Sequence, residues 1–147
     1  MIVGFTGTRS GMSEAQDKEI RLLLVTALSQ AKLINDIDVI TGLHGGCVGA
    51  DMDFHNLMVE EKERFTIEVY PGHSSGNPSN LKFRGSYEDE ADIIHESQTH
   101  FKRNRDIVDR CDVLIATPYT DHETGGGTWY TINYARKIGK KVIVLKR

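Results

Sequence analysis

The feature that most constrains this chain is a repeated unit: a short apolar run, a glycine-rich turn, then an amphipathic helical stretch. Residues 1–5 break into Thr6-Gly7-Thr8-Arg9-Ser10-Gly11, and residues 37–43 into His44-Gly45-Gly46-Cys47-Val48-Gly49. Residues 112–117 end at Pro118, and Gly125-Gly126-Gly127-Thr128 opens a helix that stops at Gly139, a residue type suited to the position after a helix end. Residues 65–70 and 141–145 read as two further strands. Ser13 and Gln16 form a capping box ahead of Ile20, Leu23, Leu24, Ala27, Leu28 and Ala31, which make one apolar helical stripe. Strands alternating with helices imply parallel strands joined by right-handed crossovers. The expected architecture is a Rossmann-like three-layer sandwich with a parallel sheet of about five strands, one domain over residues 1–147.

Residues 72–97 break this rhythm. They follow Pro71, hold Pro78, and carry an acidic run over residues 88–92. They read as a long excursion with room for a short helix, a kind of segment that is commonly functional. Beyond it, Phe101, Ile107, Val108 and Cys111 are spaced to form a buried helix face.

Charge and composition remove several function classes. The formal net charge is −3, without the basic face that duplex nucleic acid requires, so no duplex partner is expected. Cys47 and Cys111 match no zinc or redox spacing and read as free thiols of a reducing cytosol. No run approaches the roughly 18 apolar residues of a membrane span, and the N-terminus carries no signal-peptide pattern. A cytoplasmic protein without membrane contact is expected.

In an open parallel sheet the strand C-termini share one edge, and ligands bind there where the strand order reverses. Glycine turns on that edge let backbone N–H groups approach an anion at a helix N-terminus. None of the three turns matches GxGxxG or GxxxxGK[ST], which disfavours a standard dinucleotide fingerprint and triphosphate hydrolysis. Asp51 and His55 lie four apart, on one helix face. They read first as a hydrogen bond fastening that helix to a neighbouring loop, with a carboxylate–imidazole pair or a metal site as alternatives. His44, His73, His95, His100 and His122 show no ligand spacing and read as surface or loop residues; no metal and no cofactor are expected. Trp129 either stacks on a base or packs against the excursion, and Tyr70, Tyr119 and Tyr130 are open in the same way.

Gly4-Phe5-Thr6-Gly7-Thr8-Arg9, Gly45-Gly46-Cys47-Val48-Gly49-Ala50-Asp51 with His55, Arg103-Asn104 with Ile107-Val108, and Gly125-Gly126-Gly127-Thr128-Trp129 resemble, in order, the SLOG superfamily. That group joins the DNA-processing protein DprA to the LOG-type phosphoribohydrolases. The resemblance implies a nucleotide-derived ligand, such as an ADP-ribose-type signalling molecule that the protein senses or sequesters. Gly125, Gly126, Gly127 and Thr128 would hold a phosphate, and Gly7, Thr8 and Arg9 another part of the ligand, with Arg9 as a second anion clamp. Gly46, Asp51 and Trp129 belong to the same ligand site, and Arg103 and Asn104 match the position over the ribose phosphate. LOG enzymes carry a glutamate three residues past the Gly-Thr pair; here that position is Thr131, so the inherited acid is missing. Asp51, Asp53 and Glu123 are the candidate replacements, Asp51 and Glu123 foremost. Binding without chemistry is therefore the leading expectation. Cleavage of nucleoside 5′-monophosphates comes second and DprA-like single-stranded DNA binding third. Relatives of this kind also suggest a homo-oligomer.

Overall fold

The computed structural model describes residues 1–147. Its strands are β1 (Ile2–Gly7), β2 (Ile40–His44), β3 (Phe65–Val69), β4 (Gly72–His73), β5 (Ile93–Ile94), β6 (Gln98–Thr99), β7 (Val113–Thr117) and β8 (Lys141–Val144). Its α-helices are α1 (Glu14–Asn35), α2 (Ala50–Glu60), α3 (His100–Arg110) and α4 (Gly127–Lys137). The capping box starts α1 as expected: Gln16 N–H donates to Ser13 Oγ at 3.1 Å, and Ser13 N–H to Gln16 Oε1 at 2.9 Å. Gln16 Nε2 also donates to the carbonyls of Pro118 and Leu145, both at 3.0 Å. The residue that caps α1 thereby ties it to the ends of β7 and β8.

The central sheet has six parallel strands in the order β5-β3-β2-β1-β7-β8. Helices α1 and α2 cover one face, where Ile20, Leu24, Phe54 and Met58 pack on Val3, Phe5, Ile40, Ile67 and Ile115. Helices α3 and α4 cover the other, where Ile107, Val108, Cys111 and Ala135 pack on Leu43 and Leu114. Successive strand residues point to opposite faces, so Leu114 and Ile115 serve different layers. The expected three-layer α/β architecture is present.

Four expectations are corrected. The sheet has six strands rather than about five, because Ile93 and Ile94 in the excursion pair with Glu68 and Val69. Asp92 fixes this edge: its N–H donates to Ile67 O at 2.9 Å, and its carboxylate accepts Ile67 N–H at 2.8 Å. A two-residue strand is too short for periodicity to reveal. Residues 72–97 contain no helix; β4 instead pairs with β6 in a separate two-stranded ribbon. Phe101 is 54% exposed rather than part of the buried helix face. His44 is fully buried rather than a surface or loop residue, and it, not Asp51, bonds His55.

Candidate small-molecule site at the strand-order reversal

Chain order runs outward from β1 in both directions: β2 and β3 lie to one side, β7 and β8 to the other. The two halves part between the C-terminal ends of β1 and β7, which leaves a crevice there. A cavity of about 540 Å³ occupies this place, within the range of roughly 300–1,000 Å³ typical of small-molecule sites. Gly7, Thr8 and Arg9 line it from the β1 turn, Gly45, Cys47 and Asp51 from the β2–α2 turn. His100, Phe101, Arg103 and Asn104 line it from α3, and Gly126, Gly127, Thr128 and Trp129 from the start of α4. Gly46, Gly125 and Glu123 do not line it. Gly46 lies under Tyr87, and Glu123 accepts a hydrogen bond from Asn133 Nδ2 at 2.7 Å.

The glycines of the three turns differ in what requires them. A Cβ on Gly7 would overlap Thr117 Oγ1 and Ala50 Cβ, and one on Gly45 would overlap the Arg103 guanidinium. Gly49 has φ +88° and abuts the Arg9 backbone. Packing and backbone conformation therefore account for the first two turns. At Gly125 and Gly127 a Cβ would meet nothing within 4 Å, and none of the three glycines of this run has positive φ. No internal constraint demands glycine in the third turn.

The two helix N-termini differ too. The first turn of α2 contains Asp51, whose carboxylate accepts the Cys47 N–H at 3.1 Å and answers the positive end of the helix with its own charge. The first turn of α4 has no acidic residue, and its cap, Gly126, offers no side chain. The hydrogen-bond ladder begins with Tyr130 N–H to Gly126 O at 3.0 Å, which leaves the N–H groups of Gly127, Thr128 and Trp129 ahead of it. Such an end carries the helix's partial positive charge with its donors free.

Two guanidiniums and one carboxylate line the cavity. Arg9 is exposed, stacks 3.5 Å from the centroid of Phe83, and pairs with no carboxylate. Arg103 is buried, and its N–H groups face protein acceptors: Gly45 O at 2.6 Å, Tyr70 O at 3.1 Å, Asn104 Oδ1 at 2.7 Å, His100 Nδ1 at 3.1 Å and Cys47 Sγ at 3.5 Å. It braces the cavity floor. Burial, with the Arg103 charge second, holds His100 below the ordinary imidazole value, so the ring is neutral and accepts from Arg103. Burial pushes the Asp51 carboxyl up, against the pull of Arg103, and pushes the Cys47 thiol up as well.

Trp129 is 6% exposed and packs with Ala116 and Ile132 against the sheet, not against the excursion. Its indole Nε1 and the neighbouring strand's Thr117 Oγ1 are buried without a protein partner. Thr131, at the position of the absent glutamate, is buried and donates to Gly127 O at 2.8 Å, a bond internal to α4. Sequence reasoning left Tyr119 open and missed Gly45, Cys47, His100, Phe101, Thr120 and Thr124 among the lining residues. His100 and Phe101 directly precede Arg103 on α3, which was the available signal. For Phe83, brought under Arg9 by the excursion, the sequence holds none.

Fold and site together define a Rossmann-like α/β domain with a cavity at the reversal of its strand order. No family model matches the sequence, and no curated protein matches it. Among solved structures it is similar to the molybdenum cofactor binding protein of the phototrophic bacterium Rippkaea orientalis. The TM-score is 0.66 at 21% identity, over 99% of this chain and 76% of that one. It is also similar to the X-ray structure of TM1055, with TM-score 0.52 at 15% identity, over 96% and 71% of the two chains. At these identities the likeness establishes the fold.

Proposed function

We propose that this chain is a SLOG-type domain that binds a phosphorylated, nucleotide-derived small molecule and holds its phosphate on the first turn of α4. The observation that carries the proposal is the Gly125–Gly126–Gly127 run: three glycines that neither packing nor backbone conformation requires, ahead of three N–H groups without protein partners. A ligand that must approach the backbone closely supplies the missing reason. The excess of guanidinium over carboxylate in the cavity lining favours an anion. A structural neighbour described as a molybdenum cofactor binding protein supports small-molecule binding on this fold. An ADP-ribose-type signalling nucleotide, sensed or sequestered, fits these requirements. The expected homo-oligomer belongs to the same proposal: Leu22, Val25, Leu33 and Ile34 of α1 stand exposed, and sedimentation of a monomer would remove it.

A phosphoribohydrolase is the second reading. One observation favours it: Asp51 lines the cavity, and burial raises its carboxyl toward a protonated state. Mass spectrometry of small molecules released by denaturing the purified protein identifies the ligand directly. In Gly127→Val the new side chain occupies the approach to the N–H groups while meeting no protein atom at its Cβ. The variant should fold with its thermal stability within about 0.5 kcal/mol of wild type, the usual range for such surface changes. Its stabilisation by added nucleotide should vanish. Undiminished stabilisation of a folded Gly127→Val variant overturns the phosphate site.

A further inference from the structure

We infer that Phe101, backed by Tyr130, is the stacking platform of this cavity, so that the molecule held on α4 carries a planar ring such as a nucleobase. This rests on the phosphate reading above and adds the part of the ligand that confers selectivity.

Phe101 is the anomaly of α3. It is an apolar ring left 54% exposed, while the cluster of Leu43, Ile107, Val108, Cys111, Leu114 and Ala135 beside it is buried. A lone exposed phenylalanine needs no explanation; one that lines an anion-receptive cavity does. Tyr130 of α4 supports the ring, with centroids 4.4 Å apart and planes tilted by 58°. Tyr130 is itself held, because its hydroxyl accepts from Arg105 Nη1 at 2.8 Å. The remainder of the Phe101 ring is open toward the cavity. A ring of fixed orientation stacks on a planar partner at little cost in side-chain freedom.

The other aromatic residues around the cavity are engaged. Trp129 is packed against Ala116 and Ile132, and the Arg147 guanidinium lies 4.4 Å over the ring of Tyr119. The connection to the phosphate is short. Tyr130 follows Gly127 by less than one turn of α4, and Phe101 rests on Tyr130. The two recognition elements therefore line the same cavity and are joined through one side chain, Tyr130.

Calorimetric titration with AMP and with ribose 5-phosphate tests the inference in wild type, Phe101→Ala and Phe101→Tyr. Stacking tolerates any base, so AMP is an adequate probe. Wild type and Phe101→Tyr should prefer AMP over ribose 5-phosphate by about tenfold, the effect of stacking one base on one ring. Phe101→Ala should bind the two equally, with its affinity for ribose 5-phosphate unchanged and its thermal stability close to wild type, since the ring is not in the core. A Phe101→Ala protein that keeps the preference for AMP, or a wild type that shows none, overturns the platform while the phosphate site stands. A wild type that binds neither compound overturns the phosphate reading, and this inference with it.

Discussion

Arg9 and Arg103 are the same residue type in one cavity, and the structure gives them opposite tasks. Arg103 has its N–H groups turned to protein acceptors and its guanidinium buried. Arg9 is exposed on the β1 turn, with Phe83 under its guanidinium and no carboxylate beside it. An arginine oriented by a ring and left unpaired is available to a second anionic group of the ligand. Arg9→Ala should therefore weaken nucleotide binding by about 1.5–3 kcal/mol, the contribution of a hydrogen bond to a charged group. Arg9→Lys should recover only part of that loss, because an ammonium cannot reproduce the planar fork. Equal affinity of wild type and Arg9→Ala in a titration removes Arg9 from the site. The sequence brought both arginines forward as ligand-contacting residues. It could not separate them, because the acceptors outside α3 that engage Arg103 come from the β2–α2 turn and from Tyr70 on the neighbouring strand's end.

At the scale of elements, α2 is fastened to β2 by a buried imidazole pair. Gly46 N–H donates to His44 Nδ1 at 3.0 Å, so His44 carries its proton on Nε2 and donates it to His55 Nδ1, also at 3.0 Å. Burial lowers both histidines from the ordinary value of 6.5, and for His44 the neighbouring His55 and Arg103 charges lower it further. The folded protein therefore favours the neutral rings, whereas the unfolded chain takes up protons below about pH 6.5. Stability contributed by the neutral pair is complete above that pH and is lost as the pH falls toward the lowered folded-state values. Thermal unfolding followed from pH 7 to 5 should show a steep loss, approaching about 1.4 kcal/mol per pH unit for each titrating histidine. In His44→Gln that slope should flatten, and an unchanged slope would assign acid sensitivity to other groups. Asp51 makes the expected bond from α2 to the neighbouring turn, accepting the Cys47 N–H, but the partner of His55 is on the strand, which no spacing along α2 reveals. The excursion shows the same limit. Tyr87 is buried in the main cluster and Gly85 N–H donates to Gly46 O at 2.7 Å, so residues that read as a loop form part of the wall behind the site.

For the whole molecule, the question is whether the cavity converts what it binds. General acid–base catalysis contributes roughly 10²–10⁴-fold and needs a titratable group within reach of the leaving base. Thr131 supplies none, Glu123 is turned to Asn133, and Asp51 is the sole carboxylate in the lining. Incubation with AMP, NAD or ADP-ribose should therefore return each compound intact. Multiple-turnover release of free base would overturn this, and its loss in Asp51→Asn with binding retained would identify the acid. No helix is long and apolar enough to cross a membrane. The sequence by itself determined the order and kind of the main elements, the Ser13–Gln16 cap, the parallel sheet and the edge on which the cavity lies. These follow from periodicity, capping and crossover handedness, which are local or nearly so. Only the tertiary structure decided which glycines are free of any packing duty, which arginine is available, that the phenylalanine of α3 faces a cavity, and that two residues of the excursion add a sixth strand. Each of those depends on atoms far apart in the chain, and the chemistry of a side chain is set by the neighbours that folding brings to it.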